Sequence, residues 1–164
     1  MSKQESQARA RLQFLCRITR KEAEHLEQTA GHLFPTESGL SEEIVQGWVN
    51  DLNMSERLDA FVTRFSRLQD TVGDKLIPAL LSYLQEKTGP AIDNLNRAEK
   101  FGWLKSAEDW IILRKLRNQM VHEYIEDISV LTDALRSGQS YVPELTRTAR
   151  QIIDEAERRL SGEQ

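Results

Sequence analysis

The chain is expected to be all-α, an antiparallel helical bundle with a kinked long helix and additional short helices. Three observations carry that expectation. Apolar residues recur at intervals of three and four along nearly the whole chain, strand-like alternation bounded by turns is absent, and serine or aspartate followed by acidic residues punctuates the runs in the manner of helix starts. A length of 164 residues suits a single domain, 1–164, with one sizeable core.

Taken in order, the first helix is expected from about Gln4 to Ala30, with Leu12, Leu15, Thr19, Ala23, Leu26 and Ala30 on one face and Gly31 as its stop. Pro35 and Gly39 mark a loop, after which Ser41 caps a short helix through Val49 that turns Trp48 inward. Glu42 and Glu43 stand in its first turn, where they favour the partial positive charge of the free amides.

The long helix is expected to begin at Ser55 and to bury Leu58, Phe61, Val62, Phe65, Leu68 and Val72. Proline lacks a backbone donor and crowds the preceding turn, so a kink or break is expected between Gly73 and Pro78 before Leu80, Leu81 and Leu84 resume the pattern. Gly89 should end this element. Pro90 then opens a helix to Lys100 with Ile92, Leu95 and Ala98 facing in, and Gly102 closes it.

Ser106, with Glu108 and Asp109 behind it, caps the next helix, and Trp103 and Trp110 flank the junction. Beyond it Asp127 caps a helix through Leu135, the stretch SGQS at 137–140 turns the chain, and a last helix carries Leu145, Ala149, Ile152, Ile153, Ala156 and Leu160.

Composition restricts function. Lys and Arg number 22 against 26 Asp and Glu, so the net charge of −4 argues against a protein that coats nucleic acid through its overall field. Contact with RNA must be local. One cysteine, Cys16, allows no internal disulfide and reads as a buried small hydrophobe. The start MSKQESQARARL lacks the apolar run of a signal peptide, and no stretch approaches the length of a membrane span, so the expectation is a cytoplasmic chain without a membrane partner.

Chemistry concentrates in Arg114–Tyr124, RKLRNQMVHEY. At about 100° per residue, Leu113, Leu116, Met120 and Tyr124 form a core stripe with Arg117 and Val121 on its flank, while His122 lies about 140° round from Arg117. An ideal helix in a monomer sends this His to water. It is otherwise accommodated where the helix bends, or where a second subunit covers a face that Ile111 makes partly apolar.

The Arg117–Asn118–His122–Tyr124 set resembles the R-x4-H-x-Y signature of HepT-like proteins of the HEPN superfamily, in which a polar residue follows the Arg. Residues 64–81, RFSRLQDTVGDKLIPALL, look like a second block of one HepT-like branch; the resemblance covers about residues 55–160, and residues 1–50 carry no matching signature. It implies a HEPN-type bundle and a ribonuclease toxin that dimerises with both motifs lining a shared cleft. It also implies a neighbouring nucleotidyltransferase antitoxin that silences the toxin by transferring AMP to Tyr124.

On that resemblance Arg117, Asn118 and His122 are the candidate catalytic residues of a metal-independent endoribonuclease, with no cofactor. An imidazole titrating near neutrality serves as acid or base. A guanidinium grips two phosphate oxygens through its planar fork, and Asn118 orients the phosphate or His122. Arg114 and Lys115 are candidates for steering RNA. Asp70 and Asp74, four apart, suit ion pairs with Arg67, Lys75 or a motif Arg better than a metal. His25 and His32 lack the neighbours of a zinc site and read as structural. Two other readings accept the same residues: a non-catalytic HEPN partner that binds a nucleotidyltransferase or its substrate, and a helical interaction protein in which the spacing is incidental.

Overall fold

A computed structural model describes residues 1–35, 39–122 and 126–162. Its elements are α1 (Lys3–Leu33), α2 (Glu42–Asn50), α3 (Leu52–Asp70), a π-helical segment (Thr71–Leu76), α4 (Ile77–Tyr83), α5 (Ala91–Lys100), α6 (Ala107–His122) and α7 (Ile128–Leu160). No strand occurs among the described residues. The all-α bundle is the fold.

Polar contacts between helices give the packing its direction. Thr71 and Arg64 of the α3 run reach Glu22 and Thr29 of α1, so seven residues forward on one helix meet seven residues back on the other. The same step relates Arg20–Glu157 and Glu27–Arg150 between α1 and α7. Both pairs are therefore antiparallel. Every helix contributes to one buried cluster, and α6 packs against both α3 and α7. Fully buried Phe61, Phe65, Leu12 and Leu58 lie in it. Each such side chain contributes roughly 1.5–3 kcal/mol relative to exposure.

Local chemistry explains most helix starts. Ser41 accepts from the amide of Ile44 at 3.2 Å, Ser106 from that of Asp109 at 3.1 Å, and Asp127 from Ser129 and Val130, so each satisfies amides that the first turn leaves free. The long helix starts earlier than Ser55. Asp51 is its cap, accepting from Met54 at 2.9 Å, and Ser55 turns its hydroxyl back to the carbonyl of Leu52.

Three expected interruptions are instead continuous helix. Gly31 lies inside α1, which runs to Leu33. Between Gly73 and Pro78 the chain does not break: it widens into the π segment, where the amide of Ile77 reaches back to Val72, and Pro78 falls in the first turn of α4. The SGQS stretch is the middle of α7, a single helix of 33 residues that also contains Pro143.

Glycine explains two of these. A Cβ on Gly73 would stand 2.6 Å from Nε1 of Trp110, and one on Gly138 would stand 3.1 Å from Sδ of Met120. Both glycines thus give α6 room to approach, one beneath each end of its buried stripe.

The α4 end and α5 also depart from expectation. The helix ends at Tyr83, before Gly89, and Gln85 takes a positive φ of 59° in the turn that follows. Gly89 is held instead by Asn94, whose side chain accepts from its amide at 2.9 Å and donates to its carbonyl at 3.0 Å. Asn94 is consequently buried, while Ile92, expected to face in, is 43 % exposed. Among the described residues no helix is long and apolar enough to cross a membrane.

Candidate functional site

The site is assembled on α6. Glu108 and Asp109 occupy its first turn, and Ala107 donates to Glu99 at 2.8 Å. Leu113, Leu116 and Met120 are buried along one side, as expected of the stripe, and Trp110 is buried with them. Tyr124, the proposed site of modification and the stripe's fourth member, lies outside the described residues.

Two ion pairs fasten α6 to the α3 run. Arg114 donates to Asp74 at 2.6 Å and Arg117 to Asp70 at 2.5 Å. Three residues forward on α6 meet four residues back on the α3 run, so these helices are antiparallel as well. Asp70 and Asp74 therefore serve the motif arginines, leaving Arg67 and Lys75 unpaired with them. Arg117 also donates from Nη1 to Oδ1 of Asn118 at 2.7 Å, while its Nε is buried without an acceptor among the described residues.

An open groove of about 940 Å³ continues this seam toward the end of α6. His122 and Val121 line one side, and Ser66, Arg67, Asp70 and Lys75 line the other. His122 is exposed, as the helical wheel requires. Arg117 is not a lining residue and reaches the groove through Asp70.

The structure thus gathers Arg117, Asn118 and Asp70 into one hydrogen-bonded group and puts His122 on the groove that Asp70 also lines. It does not present guanidinium and imidazole together on one open wall of a single chain. Of the two cations expected to steer RNA, Arg114 is held by Asp74 and Lys115 is exposed. Ile111, expected to make the outer face of α6 apolar, is half-buried against the core. Ile112 and Val121 are the exposed apolar residues there, at 46 % and 45 %.

Away from α6, burial first and the charge of Glu157 second push the Cys16 thiol up to about 11. A thiol so rarely ionised is a packing group. His25 and His32 are exposed on α1. Glu22 was not singled out in the sequence, yet it sits half-buried on α1 beside the groove wall and accepts from Thr71 at 3.2 Å. Burial pushes its carboxyl above the usual range, against the opposing influence of the Thr71 hydrogen bond and the charges of Arg67 and Lys75. The spacing of Arg67, Thr71 and Lys75, each four apart, was the available signal for this wall.

No family model, curated protein or solved structure matches the chain.

Proposed function

We propose that the chain is a HepT-like member of the HEPN superfamily that cleaves RNA as a homodimer and is silenced when a nucleotidyltransferase antitoxin transfers AMP to Tyr124. The observation that carries the reading is the attachment of both motif side chains to one groove: His122 lines it, and Arg117 is bonded to Asp70, which lines it too.

In the proposed reaction a base takes the proton of a ribose 2′-hydroxyl, and its oxygen attacks the adjacent phosphorus. The bond from phosphorus to the 5′-oxygen breaks, and an acid returns a proton to that oxygen. The products are a 2′,3′-cyclic phosphate and a 5′-hydroxyl. His122 is one of the proton-transfer groups, and such transfer contributes roughly 100- to 10,000-fold. Arg117 balances charge on the phosphorane once phosphate displaces Asp70, and Asn118 directs the guanidinium. One chain carries one such imidazole. A second copy seated over Ile112 and Val121 supplies the other, so acid and base come from different subunits. AMP on Tyr124 brings bulk and negative charge to a position two residues from His122, opposing an RNA phosphate.

Commitment of Arg117 to Asp70 and Asn118 favours one alternative, a non-catalytic HEPN partner that binds the nucleotidyltransferase or its substrate. Induction of wild type, His122→Ala and Arg117→Ala in a bacterial host separates the two. Growth arrest with new 5′-hydroxyl RNA ends in wild type alone is the expected result. Identical behaviour of all three chains removes the endoribonuclease reading.

A further inference from the structure

The cations in and beside the groove differ in their commitments. Arg114 and Arg117 are ion-paired to Asp74 and Asp70, whereas Arg67 and Lys75, both exposed and both lining the groove, form no hydrogen bond or ion pair with a described residue. They stand eight residues apart on one wall, with Thr71 midway, and the π segment carries that line past the end of α3.

The antiparallel seam fixes what they face. Arg114 is level with Asp74 and Arg117 with Asp70, so one further turn brings Val121 and His122 level with Ser66 and Arg67. Ser66 supplies an independent sign of an occupant: it is 8 % exposed, lines the groove, and its hydroxyl is buried with no partner among the described residues. A buried hydroxyl without a partner costs free energy that a ligand oxygen recovers. Three acids line the groove with them: Asp70 is taken by Arg117, and Asp59 and Glu126 form no ion pair with either cation. Beside the wall Glu22 bonds Thr71 and feels the charges of Arg67 and Lys75 without an ion pair to either.

We propose that Arg67 and Lys75, with the Ser66 hydroxyl, are the phosphate-binding wall of this groove and hold the backbone of single-stranded RNA across from His122. The inference rests on the RNA reading above and gives it a substrate class. A groove of about 940 Å³ is the size that takes a drug-sized group. It is therefore large enough for a nucleotide or two of a flexible strand. Single strands also expose their phosphates and bases without a cost of unpairing.

The test is the fluorescence anisotropy of a short, dye-labelled, 2′-O-methylated RNA, which cannot be cleaved through its 2′-oxygen, titrated with the full chain over a range of KCl. Arg67→Gln/Lys75→Gln should weaken binding at least about tenfold and flatten the salt slope by about 1.4, since each phosphate contact to a single strand contributes about 0.7. Lys100→Gln/Lys105→Gln makes the same change of net charge on exposed residues elsewhere and should bind as wild type does. Arg67→Lys/Lys75→Arg should restore most of the affinity, and circular dichroism of each variant reports its folding. Equal affinity and slope in wild type and the Gln pair, or no binding by wild type, overturns the proposal even where induced wild type cleaves RNA. Binding that depends on Arg67 and Lys75, in a chain without His122-dependent cleavage, sustains it and overturns the endoribonuclease reading instead.

Discussion

Arg117 donates from Nη2 to Oδ2 of Asp70 at 2.5 Å, joining the middle of α6 to the last turn of α3. About a quarter of the Arg117 side chain and a third of Asp70 remain exposed, so water screens the pair and its contribution is modest. Asp70→Asn and Arg117→Gln should each cost about 1 kcal/mol, with a coupling of roughly 0.5–1 kcal/mol in the double-variant cycle. For a chain of this size each kcal/mol lowers Tm by about 2–4 °C. Strictly additive losses in urea unfolding would show that the two side chains do not meet in solution.

Gly73 lies directly under the indole of Trp110, where an added Cβ would be 2.6 Å from Nε1. Neither the ring nor the π segment gives way without cost, so Gly73→Ala should destabilise the fold by about 1–3 kcal/mol. Gly47, inside α2, has open space around its missing Cβ. There Ala should stabilise by about 0.5–1 kcal/mol, because helical glycine loses more chain freedom on folding. Denaturant midpoints of the two variants should move in opposite directions. A shift of the same sign in both would count against the close approach of α6.

These glycines also show where the sequence is legible and where it is not. Leu12, Leu58, Phe65 and Leu113 announce their burial by spacing alone, and Ser41, Ser106 and Asp127 announce helix starts by their own hydrogen-bonding chemistry. Gly73 and Gly138 read locally as interruptions because their purpose is on another helix. What they accommodate is Trp110 and Met120, and nothing within a few residues encodes that. Ile92 departs from its expected inward place for a similar reason: the bonds from buried Asn94 to Gly89 fix the roll of α5 more strongly than one isoleucine does. At the site, the separation of His122 from Arg117 round α6 was legible from helical spacing. Which partner Asp70 takes was not, since Arg117 meets it across 47 residues of chain.

Cys16 is 3 % exposed, and burial pushes its thiol up to about 11. At pH 8 only about one thiol in a thousand is then ionised, and the thiolate is the nucleophile. Labelling by an aromatic disulfide should therefore be at least about a hundredfold slower in the native chain than in urea. Native and unfolded rates within tenfold of each other would contradict the burial of this residue. The same shift has a thermodynamic counterpart. From about pH 9 to about 11 the unfolded chain has released a proton that the folded chain keeps, so stability should fall as pH rises through that window.

Glu22 gives the reciprocal experiment on the acid side. Burial is the largest influence on its carboxyl and raises it, with Thr71, Arg67 and Lys75 opposing. A folded-state value above the unfolded one means that the folded chain binds more protons between the two, so the Glu22 contribution is fully present below the unfolded value of 4.5 and is lost as pH rises through the folded one. Glu22→Gln removes this loss while keeping an oxygen to accept from Thr71. It also replaces Oε2, buried without a partner among the described residues, with an uncharged amide nitrogen. The variant and wild type should therefore melt alike at pH 4, with the variant gaining a higher Tm as pH rises toward 7. Lost stability in Glu22→Gln at pH 7 would mean that attraction to Arg67 and Lys75 outweighs burial. Those two cations would then be held by Glu22, which ties this melting curve directly to their freedom to bind phosphate.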